Sequence, residues 1–342
     1  MGSWGRTSVV AGVALLIAVG TGGPAFAAPA LETVCTVTDK RLGELSGLVT
    51  DDDGNWYAIS DGGTSIQVLV LGRDCAVKRV VKASADPYDV EDLARGADGT
   101  LWLGDIGDNR KQRDTIALHA VTPNGKSTLY RLTYPDGQHD AEALLLDKDG
   151  VPYVVTKNVL GASDVYRASA KLTSPGPTAL EKVGTLDFEG TDTPGGPVGP
   201  MGSLLVTGGA TSADHKVVAL RTYTDAYLYA TPDGDIAAAL KRTPVRVPLP
   251  NENQGEAIAF EPDGTLLSGS EGTRQPIRAV RGATGLAAQQ TSEPGTAGAA
   301  GAPAGQDGGG LPDLPGGAVT VAVGAAVVVL LAVVLLRRRR RV

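Results

Sequence analysis

The chain has 342 residues, with 46 glycines, 21 prolines and only 4% aromatic residues, and a formal net charge of −7. An excess of acids over bases argues against nucleic acid or anionic lipid as a partner. No Gly-x-Ser-x-Gly elbow occurs, which excludes an α/β-hydrolase triad, and His119, His139 and His215 stand in no metal-ligand spacing.

Taken in chain order, Met1–Ala27 reads as a secretory signal. Arg6 supplies the positive end, Val9–Val19 the short apolar core and Ala25-Phe26-Ala27 the small-x-small cleavage site. Thr33–Thr38 then forms a strand-like segment. From there one unit recurs five times. Its turn dipeptide is Asp53-Gly54, Asp98-Gly99, Asp149-Gly150 and Asp263-Gly264, with Asp214-His215 as the less regular fourth member. Seven residues before each turn stand Ser46, Glu91, Glu142, Thr207 and Glu256, so successive copies lie 45, 51, 65 and 49 residues apart. Asp-Gly favours a two-residue hairpin, and a repeat of about 40–50 residues with strand signals reads as the blade of a β-propeller.

Second strands are expected at Asn55–Ser60, Leu101–Gly104, Val151–Thr156, Lys216–Arg221 and Leu266–Ser270. Third and fourth strands follow, such as Ile66–Leu71 with Ala76–Val81 and Thr115–Val121 with Ser127–Leu132. No ten-residue stretch of this region has helical periodicity, so the fold class is all-β. The last copy lacks its outer strand after Gln275–Val280, and Thr33–Thr38 can fill the gap, closing the ring from the opposite end of the chain. The count favours five blades; a sixth would require Asp187–Gly202 to be a strand unit rather than an inserted loop. Cys35 falls on the closing strand and Cys75 on the outer part of the first blade, so a disulfide between them would clip the closure.

Residues 28–285 are thus expected to form an extracellular propeller. A Gly/Ala/Pro-rich stalk follows at 286–317, unable to bury enough apolar surface to fold. Ala318–Leu336 is long and apolar enough for a transmembrane helix, and Arg337–Arg341 would hold the tail, 337–342, in the cytoplasm. Setting aside Arg6 and those five arginines leaves 25 bases against 38 acids, so the external part is near −13. Such a surface favours cations over anionic polymers.

First-strand starts and second-strand ends share one face of a propeller, so Glu91, Glu142 and Glu256 should converge there with Asp105, Asp108, Arg110, Lys157 and Arg221. Crowded carboxylates are costly unless paired or bound to metal, and a surplus of hard oxygen donors suits Ca²⁺. Glu91, Asp105, Asp108, Glu142 and Glu256 are the candidate metal ligands. Arg110, Lys157 and Arg221 are the candidates for an anionic group. The competing reading makes each glutamate a strut that hydrogen-bonds the next blade's backbone.

The stretches Gly104–Arg113 (GDIGDNRKQR), Asp140–Asp147 (DAEALLLD), Arg221–Tyr227 (RTYTDAY) and Asn253–Phe260 (NQGEAIAF) resemble secreted actinobacterial propellers of the WD40-like or esterase-like phytase type. That resemblance implies Ca²⁺, a carboxylate-rich channel mouth and hydrolysis of phosphate esters. The Trp-Asp signature of true WD40 repeats is absent, as is the Asp-Asp-Pro-Ala segment of phytases. Two functional expectations follow. The first is a membrane-anchored surface module that binds an extracellular ligand or protein and is stabilised by Ca²⁺. The second is a Ca²⁺-dependent phosphoesterase or esterase-like hydrolase with its site at the channel mouth.

Overall fold

Residues 30–158 and 162–292 are described by a computed structural model. The first strand, β1 (Leu31–Thr36), precedes an antiparallel meander of β2 (Leu45–Thr50), β3 (Trp56–Ser60), β4 (Ile66–Leu71) and β5 (Val77–Ala83). Next come β6 (Val90–Arg95), β7 (Leu101–Asp105), β8 (Ile116–Val121) and β9 (Ser127–Thr133). The third meander is β10 (Ala141–Leu146), β11 (Pro152–Thr156), β12 (Ser163–Ala168) and β13 (Thr178–Leu186). A short parallel contact of β13 with β9, at Thr178–Leu132 and Ala179–Thr133, joins these two into one eight-stranded sheet. The fourth meander is β14 (Val206–Thr211), β15 (Val217–Thr222), β16 (Asp225–Ala230) and β17 (Val245–Pro248), with the one-turn helix α1 (Ile236–Ala239) before its last strand. The last sheet is β18 (Gly255–Phe260), β19 (Leu266–Ser270) and β20 (Pro276–Val280), completed by β1.

The first strands of the meanders touch in the cyclic order β2, β6, β10, β14, β18 and back to β2, which makes the molecule a β-propeller. Each apolar core fills the space between successive meanders. Leu45, Leu48 and Trp56 pack on Ala257, Leu267 and Ile277, for example, and Ala143, Leu145 and Val155 on Val206, Val218 and Leu220. Strands inside the ring are covered on both faces, so β10 is buried along its whole length. The outer β5 is only partly buried, with Lys78, Arg79 and Lys82 exposed, because one face meets water.

The hairpin turns follow the sequence reading. Gly54, Gly99, Gly150 and Gly264 have φ between 75° and 81°, and His215 takes the same left-handed conformation at 55°. β1 pairs antiparallel with β20, as the incomplete last copy requires, and the Cys35–Cys75 disulfide ties it to the first meander with Cα atoms 5.8 Å apart. Residues 187–198 hold no strand. Thr191 and Thr193 pin this loop by donating to the Asp225 carboxylate at 2.7 and 2.8 Å.

One expectation needs correcting. Ala283–Ser292 forms a ten-residue helix, α2, packed against β16 and β17, where the sequence reads as the start of an unfolded stalk. Ala283 and Ala287, one helical turn apart, let its backbone approach the sheet closely, so it needs no broad apolar stripe. Among the described residues no helix is long and apolar enough to cross a membrane. The signal segment 1–27, the membrane segment 318–336 and the tail lie outside the described residues.

Candidate metal centre at the channel mouth

Each first strand carries a β-bulge at the recurrent position. The ladder shifts register between Leu45 and Leu48, Val90 and Asp92, Ala141 and Ala143, Val206 and Gly208, and Gly255 and Ile258. Those shifts fall at Ser46, Glu91, Glu142, Thr207 and Glu256. A bulge leaves a residue outside the ladder and re-aims its side chain. In two blades the position is a strut: Ser46 Oγ donates to the Glu91 carbonyl, and Thr207 Oγ1 donates to the Gly255 carbonyl at 2.8 Å. The three glutamates are different. All three are buried, and like-charged neighbours surround them.

Glu91 faces Asp61, from the loop after β3, and Asp89, just before β6. One carboxylate oxygen from each of the three lies within 4.8 Å of the other two. Burial, then the charges of Asp61, Glu142, Asp89 and Asp140, push the Glu91 carboxyl well above its usual range. The chain leaves room for this cluster at Gly107, where a Cβ would stand 2.2 Å from Glu91 Oε1 and 2.7 Å from Asp89 Oδ2.

Glu142 reaches Lys157 through Oε1, while its Oε2 is buried with no hydrogen-bond partner among the described residues. Lys157 Nζ also donates to the Tyr223 hydroxyl at 2.6 Å. Burial alone would lower the Lys157 pKa, but the field of Glu142, Tyr223, Glu256 and Asp140 holds it well above normal, so the ammonium stays charged. Burial and the charge of Glu271 raise Glu256 to about 8, and the two carboxyls share a hydrogen bond. Asp140 is raised to about 6, chiefly by burial, even though it accepts the Asp108 N–H at 2.7 Å. The mouth therefore gathers acidic side chains from four blades around one buried lysine. The donors are all oxygen, which fits a hard divalent cation, and Asp61, Asp89 and Glu91 have the spacing to hold one.

The structure separates the remaining candidates from this cluster. Asp105 accepts from Tyr88 N, Asp89 N, Arg113 Nη2 and His119 Nε2 at 2.9–3.2 Å. These partners hold its carboxyl below the usual range against the opposing effect of burial. Asp108 accepts from the backbone N–H groups of Gln112 and Arg113 and so shapes the loop at 108–113. Both carboxylates build the wall behind the cluster. Arg110 is exposed on that loop. Arg221 is fully buried and donates to Glu252, Ser268 and the carbonyls of Thr222, Tyr223, Ala257 and Gly269. It bridges β15 to the β18–β19 hairpin and cannot take an external anion. Of the three basic candidates only Lys157 lies within the acidic mouth.

Asp89 and Asp140 are the residues that the repeat alignment leaves out. Each stands two positions before a mouth glutamate, as Gln254 does before Glu256, so an Asp/Gln-x-Glu spacing was present as a signal.

No family model and no curated protein matches the chain. Among solved structures, a gluconolactonase from Xanthomonas campestris is 15% identical, with a TM-score of 0.40 over 77% of this chain and 90% of that one. A luciferin-regenerating enzyme is 13% identical, with a TM-score of 0.44 over 75% and 96%. The aldose sugar dehydrogenase from Streptomyces coelicolor is 11% identical, with a TM-score of 0.41 over 75% and 99%. Likenesses this distant carry nothing about chemistry. The β-propeller architecture itself stands on the cyclic order of the sheets.

Proposed function

We propose that this five-bladed propeller binds a hard divalent cation, Ca²⁺ above all, at its channel mouth and hydrolyses an ester-type substrate there. The observation that carries the reading is the convergence of Asp61, Asp89 and Glu91, whose ligand oxygens lie within 4.8 Å of one another. Glu142, Asp140 and Glu256 crowd the same space. Crowded, buried carboxylates are costly unless they are protonated or paired with a cation. When bound, the cation would act as a Lewis acid toward a phosphoryl or carbonyl oxygen. Lys157, fixed between Glu142 and Tyr223, supplies a permanent positive charge beside the reacting group. A cleft of about 590 Å³ between the first two meanders, lined by Ser60, Asp61, Thr64 and Pro87, gives a substrate room to reach Asp61. The resemblance to phytase-type propellers favours phosphate esters within this class. Secretion through residues 1–27 and anchoring through 318–336 belong to the proposal on the sequence alone.

The test is a Ca²⁺ titration of chelator-stripped protein, read as melting temperature and as turnover of p-nitrophenyl phosphate and p-nitrophenyl acetate. A rise of several degrees with cation-dependent turnover, both lost in Asp61→Asn/Asp89→Asn, is expected. A melting response without turnover of either ester would replace the hydrolase with a Ca²⁺-stabilised binding module. A flat melting curve would overturn the metal centre.

A further inference from the structure

At the end of the channel away from the carboxylates, the hairpin turns surround a second cavity of about 290 Å³. Its wall uses one register on all five first strands: Thr50, Arg95, Leu146, Thr211 and Phe260, each four residues after the mouth position. Leu48, Leu93 and Leu144 form its inner, apolar end. Beyond them lies Asp92, fully buried, which accepts the N–H groups of Leu93, Leu144 and Gly209 at 2.8–3.0 Å. That carboxylate ties β6, β10 and β14 together and divides the cavity from the mouth.

Two polar atoms on the cavity wall, Thr211 Oγ1 and His215 Nδ1, are buried without a hydrogen-bond partner among the described residues. Other polar groups of the wall are satisfied within the fold. Thr50 Oγ1 donates to the Phe260 carbonyl at 2.8 Å, and the Asp51 oxygens accept from Asp53, Asn55 and Tyr57, while Asp52 stands exposed to solvent at the rim. Arg95 stands on the same ring as Thr211, with its guanidinium beside the Asp98-Gly99 turn, and enters no ion pair within 4 Å among the described residues. His215 is notable for its backbone as well. It is the one non-glycine among the five equivalent turn positions, held at φ 55° where the other four use glycine. A left-handed conformation is unfavourable for a residue with a Cβ, and such strain tends to persist where the side chain has a task.

We infer that this cavity is a second ligand site and that it takes a small apolar monocarboxylate. Thr211, His215 Nδ1 in the tautomer that carries its N–H there, and Arg95 supply donors for the carboxylate, and the leucine end receives the hydrocarbon. The volume falls at the bottom of the usual range for small-molecule pockets, about 300–1,000 Å³, so the body is of the size of one aromatic ring.

The probe is 4-fluorobenzoate, followed by its fluorine NMR signal on titration with the whole protein. Saturable binding is expected. It should weaken about tenfold or more in Arg95→Gln and in Thr211→Val, as when one partner of a charge-assisted hydrogen bond is removed. His215→Gly should also weaken binding without lowering the melting temperature, which separates loss of a ligand contact from loss of folding. Ala213→Trp, on the exposed rim, should block the site, and Glu91→Gln should leave binding unchanged. No saturation with the probe at millimolar concentration, equal binding by Ala213→Trp, or equally tight binding of 4-fluorobenzyl alcohol would overturn the assignment.

Discussion

Gly107 and Arg221 show how differently two residues beside the same channel contribute to it. Gly107 is required by space. A methyl group there would meet Glu91 Oε1 at 2.2 Å and Asp89 Oδ2 at 2.7 Å, with Glu91 buried in the ring. Gly107→Ala should therefore displace the acidic cluster and abolish the melting response to Ca²⁺, while the ring of strands, and so the far-ultraviolet circular dichroism, is retained. An unchanged Ca²⁺ response would mean that the cation, if bound, sits elsewhere. Arg221 is required by charge and hydrogen bonding. Replacing it with methionine leaves Glu252 buried and unpaired, at a cost of about 3–5 kcal/mol, measurable by urea unfolding. In the sequence Arg221 reads as a candidate for an anionic group. Arg221 sits where a ligand-binding arginine could sit, and only its six acceptors from two blades reveal a fully committed group.

Among the elements, the bulged first strand connects the repeat to the chemistry. A regular strand would alternate its side chains between the two neighbouring blades, whereas the bulge frees one residue per blade from the ladder, and in three blades that residue is a glutamate at the mouth. The period, the strands and the closing β1 were legible because apolar alternation and Asp-Gly turns are local signals. Asp105 and Asp108 misled because their loop is acidic and glycine-broken, yet the backbone folds around those carboxylates and consumes them. α2 escaped notice because contact through alanines at a sheet edge leaves little periodicity to detect. The other element that closes the ring can be tested directly. Cys35 and Cys75 enclose a loop of 40 residues, for which chain entropy gives about 4 kcal/mol. Cys35→Ala/Cys75→Ala should lower the unfolding free energy by about 2–4 kcal/mol, with β1 gaining the fastest amide exchange. Uniform exchange across all blades would argue that β1 needs no clip.

For the molecule as a whole, the decisive quantity is the proton occupancy of the mouth. Glu91 and Glu142 are raised well above ordinary carboxylates, Asp140 to about 6 and Glu256 to about 8, in each case with burial as the first cause. In the unfolded chain the same groups ionise near their ordinary values of 3.8 and 4.5. Between those values and the raised ones the folded protein binds more protons than the unfolded chain, so stability must fall as pH rises. The contribution is complete below the unfolded values and is lost as pH climbs through about 6 and then about 8. Metal-free protein should therefore melt several degrees lower at about pH 8.5 than at about pH 5. A cation in the Asp61–Asp89–Glu91 cluster competes with those protons, so Ca²⁺ should stabilise most at the alkaline end and release protons on binding. Calorimetric titration in two buffers of different ionisation enthalpy reads that release directly. Proton-neutral binding, or metal-free stability that rises with pH over this window, would show that the mouth carboxylates are ionised and balanced by the fold itself, with Lys157 as their sufficient counter-charge.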